Sequence, residues 1–367
     1  METRKMWRWN VGLLLALTLS AGCGGSQASS APPAAAMLIG QMASSPLAHF
    51  VPAPPPEPAT PPGHSWMHRP KRVRDMLLYV SDWARNVVNV ADYKTGQQVG
   101  SLTGFDEPYG QCVDDFGNVF ITNYGNGETM EFAHGGTSPL RTFFTNGTPL
   151  GCSVDQRGDL AVTSFNPGNV TVFGKGKSTG QTYANTSCNI MWPAGYDDRG
   201  NLYVLGESYE GSTRNRASTL VSLCEVAAGS ATMAVVPLSG ASILYPGSVM
   251  WDGKHITLTD QGYAGGYQSG VYQAVEDPSG GLRVVGSTNL DGGCDSGYTD
   301  IEQPFFVGKK NTPVNLKEGN MLVGVSTSCH DGSSNGVVFW RYPSGGEPFK
   351  KYDAETEPLG VSVSITP

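Results

Sequence analysis

Charge is scarce in this 367-residue chain, where Asp, Glu, Lys and Arg together make up 15% of the residues against about a quarter in ordinary globular proteins. Histidine is scarcer, at six residues, and no second His or Cys cluster stands at metal-ligand spacing, which leaves a zinc site without ligands. No G-x-S-x-G, H-E-x-x-H, phosphate loop or dinucleotide glycine motif stands in a strand-turn-helix setting. The common hydrolase, metalloprotease and nucleotide-binding readings lose their motifs. Basic residues are also unevenly spread: seven of the 24 lie in residues 1–74 with two of the 32 acidic ones, leaving 17 against 30 in the remainder. An acidic domain of that kind repels a phosphate backbone and excludes nucleic acid as its partner. Wholesale disorder is excluded by the 39% hydrophobic content.

The apolar run Val11–Leu19 has nine residues, too few for a permanent membrane helix but the length of a signal-peptide core. Arg4, Lys5 and Arg8 precede it, and "LSAGC" follows, so residues 1–22 read as a signal peptide ending before Cys23. Small residues before a cysteine resemble the bacterial lipoprotein signal, which implies lipidation of Cys23 and an exported chain held to the membrane by lipid alone, facing the periplasm or the cell surface. Ser20 stands where that signal usually carries Leu, and plain secretion after cleavage near "SAG" is the competing reading. Residues 23–74 follow as a Pro-, Ala- and Ser-rich stalk centred on "VPAPPPEPATPPG" and closed by the basic "HRPKRVR".

What the chain has in excess is glycine: 48 residues, with 10% aromatics, about twice the usual glycine share and a sign of many short strands and tight turns. The stretch "PYGQCVDDFGNVFITN" from Pro108 returns as "PLGCSVDQRGDLAVTS" from Pro149. The same Asp-x-x-Gly turn begins at Asp114, Asp155 and Asp197, each followed by β-branched alternation, and a tighter copy lies at Asp252. A fifth copy starts at "QPFFVG". A sixth start, "EPLGVSVSITP", ends the chain without its second strand, while "DMLLYVSD" at Asp75 begins the domain without its first. Six outer hairpins alternate with these inner pairs. Residues 75–367 therefore predict an all-β, six-bladed propeller of four-stranded blades, about 49 residues each, closed by the C-terminal strand joining the N-terminal strands.

The Pro-x-Gly start with its Asp-x-x-Gly-Asn turn resembles NHL-type and YncE-like propellers, and more closely a group of uncharacterised bacterial propeller lipoproteins. The resemblance covers residues 75–367 and implies a fold rather than an activity.

Topology places one loop set around one mouth of the central channel, and this face reads as aromatic and acidic. Its candidate binding residues are Trp83, Glu107, Tyr109, Asn123, Tyr124, Trp192, Asp260, Tyr263, Glu302, His330 and Glu357. Glu107 and Glu357 occupy equivalent positions in adjacent blades, where mutual repulsion is expected to raise one carboxyl's pKa. With Asn123 and Asp260 they form an oxygen-rich set suited to Ca²⁺ or another divalent cation, the alternative being solvated rim charges. Propeller lactonases hold a metal with such residues, but their motif order does not map onto this chain.

Six cysteines remain after Cys23. Cys112 lies two residues before its turn Asp and Cys152 three, so strand alternation turns them to opposite faces, and each is expected to be an unpaired core residue. Cys294 and Cys329 flank the fifth inner pair and are the expected disulfide. Together these features predict a monomeric, non-enzymatic binding or scaffold module for a polysaccharide, peptide or protein, with a metal-assisted hydrolase or lyase at the channel mouth as the alternative.

Overall fold

The structure, a computed structural model, describes residues 64–68, 76–209, 219–263, 268–291, 303–308, 319–326, 335–353 and 357–365. Six small, mainly antiparallel sheets follow one another along the chain as the blades of a six-bladed β-propeller. Blade 1 takes its innermost strand, Pro358–Ile365, from the C-terminus, followed outward by Met76–Asp82, Val87–Asp92 and Gln98–Leu102. Met76 pairs with Ile365 and Asp82 with Pro358, so the ring closes as the two truncated repeats predict. Within the stretch read as stalk, Trp66–Met67 adds a short fifth strand outside blade 1.

The inner strands of blades 2, 3, 5 and 6 are Pro108–Val113, Pro149–Val154, Pro246–Trp251 and Phe305–Gly308. Blade 4 departs from the pattern: Ile190–Met191 and Gly195–Tyr196 pair separately with Leu202–Tyr209. The Asp-x-x-Gly turns explain their recurrence. One carboxylate oxygen of Asp114 accepts the N–H groups of Phe116 at 2.9 Å and Asn118 at 2.8 Å, while Gly117 takes a φ of 80°. Asp155 and Asp197 repeat the arrangement, with Gly158 and Gly200 at 86° and 84°. An aspartate thus ties each turn and a glycine permits its left-handed residue.

The Pro-x-Gly signature has a different cause. A Cβ on Gly360 would overlap the Tyr109 carbonyl oxygen, one on Gly110 the Leu150 carbonyl oxygen, and one on Gly151 would lie 2.6 Å from Pro193 Cβ. Each glycine sits where its blade meets the next around the axis, and a side chain there has nowhere to go.

Among the described residues the apolar core divides into seven clusters, one at each of the six blade junctions and a seventh near the start of the inner strands. In blade 2, Val119 and Ile121 turn toward blade 1, and Phe120 with Cys112 turns toward blade 3. Each sheet alternates its side chains between two dry junctions, which accounts for strands buried at every position, such as Met76–Asp82 and Val119–Asn123.

That packing overturns the expectation of unpaired Cys112 and Cys152, which form a disulfide with their Cα atoms 5.5 Å apart. They do face opposite ways within their own blades. Adjacent blades stack with opposite faces in contact, however, so residues of opposite facing are the ones that meet. A second disulfide, Cys188–Cys224, ties the turn Thr186–Cys188 to the strand Thr219–Val226 inside blade 4. With sequence separations of 40 and 36, each removes on the order of 4 kcal/mol of unfolded-chain entropy in the loop-closure picture. Cys294 and Cys329, the expected pair, lie outside the described residues.

Candidate functional site: an aromatic collar and a bridged axis

At the end of the channel where the inner strands begin, one backbone hydrogen bond recurs. Trp83 N–H donates to the Glu357 carbonyl at 3.2 Å, Tyr124 to Glu107 at 2.9 Å, and Phe165 to Thr148 at 2.9 Å. In blade 5 Gln261 donates to Tyr245 at 2.8 Å. This bond fixes Trp83, Tyr124 and Phe165 at one repeat position in three consecutive blades, each half-buried. They pack with half-buried Tyr245 around Tyr109, Leu150 and Trp192, of which Trp192 is 0% exposed. Ring centroids lie 5.8 Å apart for Tyr109 and Tyr124, 5.9 Å for Phe165 and Trp192, and 5.6 Å for Trp192 and Tyr245. The two edge-on contacts join blade 4 to blades 3 and 5, the tilted pair lies within blade 2, and the shared cluster makes them one collar. The Trp192 indole N–H is buried there and makes no hydrogen bond among the described residues.

The collar joins only some of the predicted rim residues. Tyr109 and Trp192 lie beneath it instead of on the surface. Tyr263 is held in blade 5, its ring tilted against Tyr272 at 5.3 Å and its hydroxyl donating to Ser287 Oγ at 2.8 Å. Glu302 and His330 lie outside the described residues.

Of the oxygen-rich set, Asn123 and Asp260 are fully buried and serve the backbone. Asn123 Oδ1 accepts the Asp106 N–H at 2.6 Å. The Asp260 carboxylate accepts those of Leu244, Tyr245 and Gly262 at 3.2, 2.9 and 3.0 Å, and burial still holds its pKa above the ordinary value. Asn123 ends the strand Val119–Asn123 and Asp260 lies within Ile256–Tyr263, and both orient the loops bearing the collar. Glu107 has a left-handed φ of 57° and is tied through its N–H to Asn86 Oδ1 at 2.8 Å. Its carboxyl is raised, as expected, but the causes are burial first and the adjacent Asp106 second, not the exposed Glu357. Among the described residues no group of three or more His, Cys, Asp or Glu is placed to hold a metal ion.

Sequence reasoning missed what crosses the axis. From the start of blade 6, Gln303 Oε1 accepts the Gln111 N–H of blade 2 at 3.2 Å, and its Nε2 donates to the carbonyls of Gln111 at 3.1 Å and Cys152 at 3.4 Å. The Gln111 side chain in turn donates to Ser81 Oγ at 2.8 Å and accepts from Ser362 Oγ at 2.6 Å. Both glutamines are buried. Their fully satisfied network lies between the collar and the opposite mouth.

No family model matches the chain, and no curated protein matches it in sequence. Its likeness is to solved structures. A chain of the nidogen/laminin complex superposes with a TM-score of 0.56 at 14% identity, covering 79% of this chain and 99% of that one. A protein of unknown function from Bacteroides caccae gives 0.54 at 12% identity, with the same 79% and 99% coverage. At such identity the likeness is one of fold, and it agrees with the propeller assigned from the blades.

Proposed function

We propose that this propeller is an exported, membrane-anchored binding module that takes a polysaccharide, peptide or protein partner on its aromatic collar. The observation that carries the reading is the repetition of half-buried Trp83, Tyr124 and Phe165 at one blade position, backed by a layer of buried aromatics. Rigid aromatic faces offer large contact area at small entropic cost and suit sugar C–H faces and peptide side chains alike. Export is supported by two disulfides, which persist in oxidising compartments, and by the signal-like N-terminus.

The test is a screen of the full-length protein against glycan and peptide arrays, followed by titration of the best hit. Trp83→Ala/Tyr124→Ala is expected to weaken that binding by about tenfold or more, in keeping with a loss of at least ~1.4 kcal/mol at an aromatic hot spot. A single cooperative melt of the double variant, even if lowered, shows that it is folded and that the loss is one of contact. Undiminished binding by the double variant overturns the collar as the site.

Anchoring has its own readout. Cys23→Ser is expected to move the protein from the membrane fraction to the soluble fraction with its melting temperature unchanged, because Cys23 lies far in sequence from every described strand. Retention in the membrane pellet sinks the lipid assignment.

A further inference from the structure

The end of the axis opposite the collar holds a cavity of about 130 Å³, lined by residues of blades 2 to 6. That is close to the space that admits a single benzene-sized group. Gln111 and Gln303, the bridging pair, are among the lining residues and set its inner end. Half-buried Trp251 and Phe305 and buried Tyr196 and Phe306 contribute aromatic wall. The outer lip carries Asp115 and Asp198, the residues directly after the turn aspartates of blades 2 and 4.

The carboxylates at this mouth divide into two kinds. Asp155 and Asp197 are consumed: each caps its turn and pairs with the arginine two residues on, at 2.8 Å for Arg157 and 3.3 Å for Arg199. Asp115 and Asp198 are exposed, and neither carboxylate accepts a hydrogen bond among the described residues. Among the described residues no Lys, Arg or His lines the cavity. Lys175 lies over the Phe116 ring at 5.1 Å, outside the lining, and from there its charge also acts on Asp115. Partial burial first, then the neighbouring Asp114 and Asp155, hold the Asp115 carboxyl above its ordinary pKa, with Lys175 offsetting part of the effect.

We propose that this cavity is a second binding site, for a small organic cation: an ammonium or guanidinium group on a short apolar stem. The negative lip excludes anions and gives a neutral ligand no advantage. A divalent metal finds no set of three acidic, His or Cys donors among the described residues. An alkylammonium would set its charge against a lip carboxylate, Asp115 or Asp198, and its stem against Trp251 and Phe305, where aromatic rings add to the attraction. Free amines and the Lys or Arg side chains of a partner share this head group. The site is independent of the collar, because the Gln303 bridge separates the two mouths.

Calorimetric titration of the full-length protein with n-butylammonium and n-butylguanidinium, against n-butanol and butyrate, tests the proposal. A Lys-containing peptide and its Nε-acetylated form make a second arm. The cations are expected to bind at least about tenfold more tightly than butanol, and butyrate not at all. Asp115→Asn/Asp198→Asn should remove that preference without lowering the melting temperature. Trp251→Leu should weaken the cations, and Trp83→Ala/Tyr124→Ala should leave them unchanged. Binding of the free amine, or of the unacetylated peptide alone, supports the site and tells its source. Equal binding of butanol and butylammonium, a preference that survives in the double Asn variant, or a response to Ca²⁺ with none to either cation arm overturns it.

Discussion

Deleting residues 358–367 is expected to abolish cooperative folding of the domain. That strand supplies the inner edge of blade 1, pairing from Met76 with Ile365 to Asp82 with Pro358. Val361 and Val363 belong to the core between blades 6 and 1, Ser362 holds the Gln111 amide, and Ser364 Oγ donates to the Gly117 carbonyl of blade 2. Each fully buried Val side chain contributes roughly 1.5 to 3 kcal/mol, and the strand's loss also exposes Met76–Asp82, buried at all seven positions, as an apolar edge. The sum rivals the ~5 to 15 kcal/mol that stabilises a whole domain. Circular dichroism of the truncated chain should show no sharp thermal transition, while deletion of residues 24–63 leaves the transition in place. A cooperative melt within about 4 °C of the parent, at most the shift that ~1 kcal/mol produces in a large domain, refutes ring closure as the main source of stability.

Gly110→Ala is the second large effect expected, and from the smallest change. The new methyl would overlap the Leu150 carbonyl oxygen and approach Gly151 Cα to 2.8 Å, with the Gln303 amide on the same side. Two of these atoms are backbone of the neighbouring inner strand and cannot turn aside, so blades 2 and 3 must separate at the axis. Overpacking of this kind costs on the order of 3 kcal/mol. Gly174→Ala is the control: its Cβ would meet nothing nearer than Lys177 at 3.6 Å. Urea midpoints of the two variants should differ clearly, and equal midpoints would remove steric crowding as the reason for the Pro-x-Gly signature.

The blade count, the turns and the closure were legible because they repeat, and a repeated local solution leaves the same letters at a fixed interval. Asp114, Asp155 and Asp197 announce their turns because each accepts hydrogen bonds only two and four residues ahead. Contacts between blades obey no such local rule. Cys112 and Cys152 were correctly assigned to opposite faces, yet the conclusion reversed once those faces proved to be the ones in contact. Cys188 and Cys224 gave no signal, since the irregular start of blade 4 breaks the repeat. The collar was half legible: aromatic residues were expected at that mouth, but which of them lie beneath others depends on packing across four blades. Gln303 bonding Gln111 across 192 residues of sequence was beyond any periodic argument.

That glutamine bridge also has a bearing on how the ring is numbered. A propeller's bore widens with every blade added, whereas a glutamine side chain has one fixed length. Gln303 reaches two neighbouring inner strands, those of blades 2 and 3, from blade 6, and it does so because six blades bring those strands within its span. Duplicating one blade would carry the acceptors out of range and leave the Gln111 amide and two carbonyls unmet in the bore. The side chain therefore works as a caliper on the circumference, tolerating substitutions at the surface while penalising any change in the number of repeats.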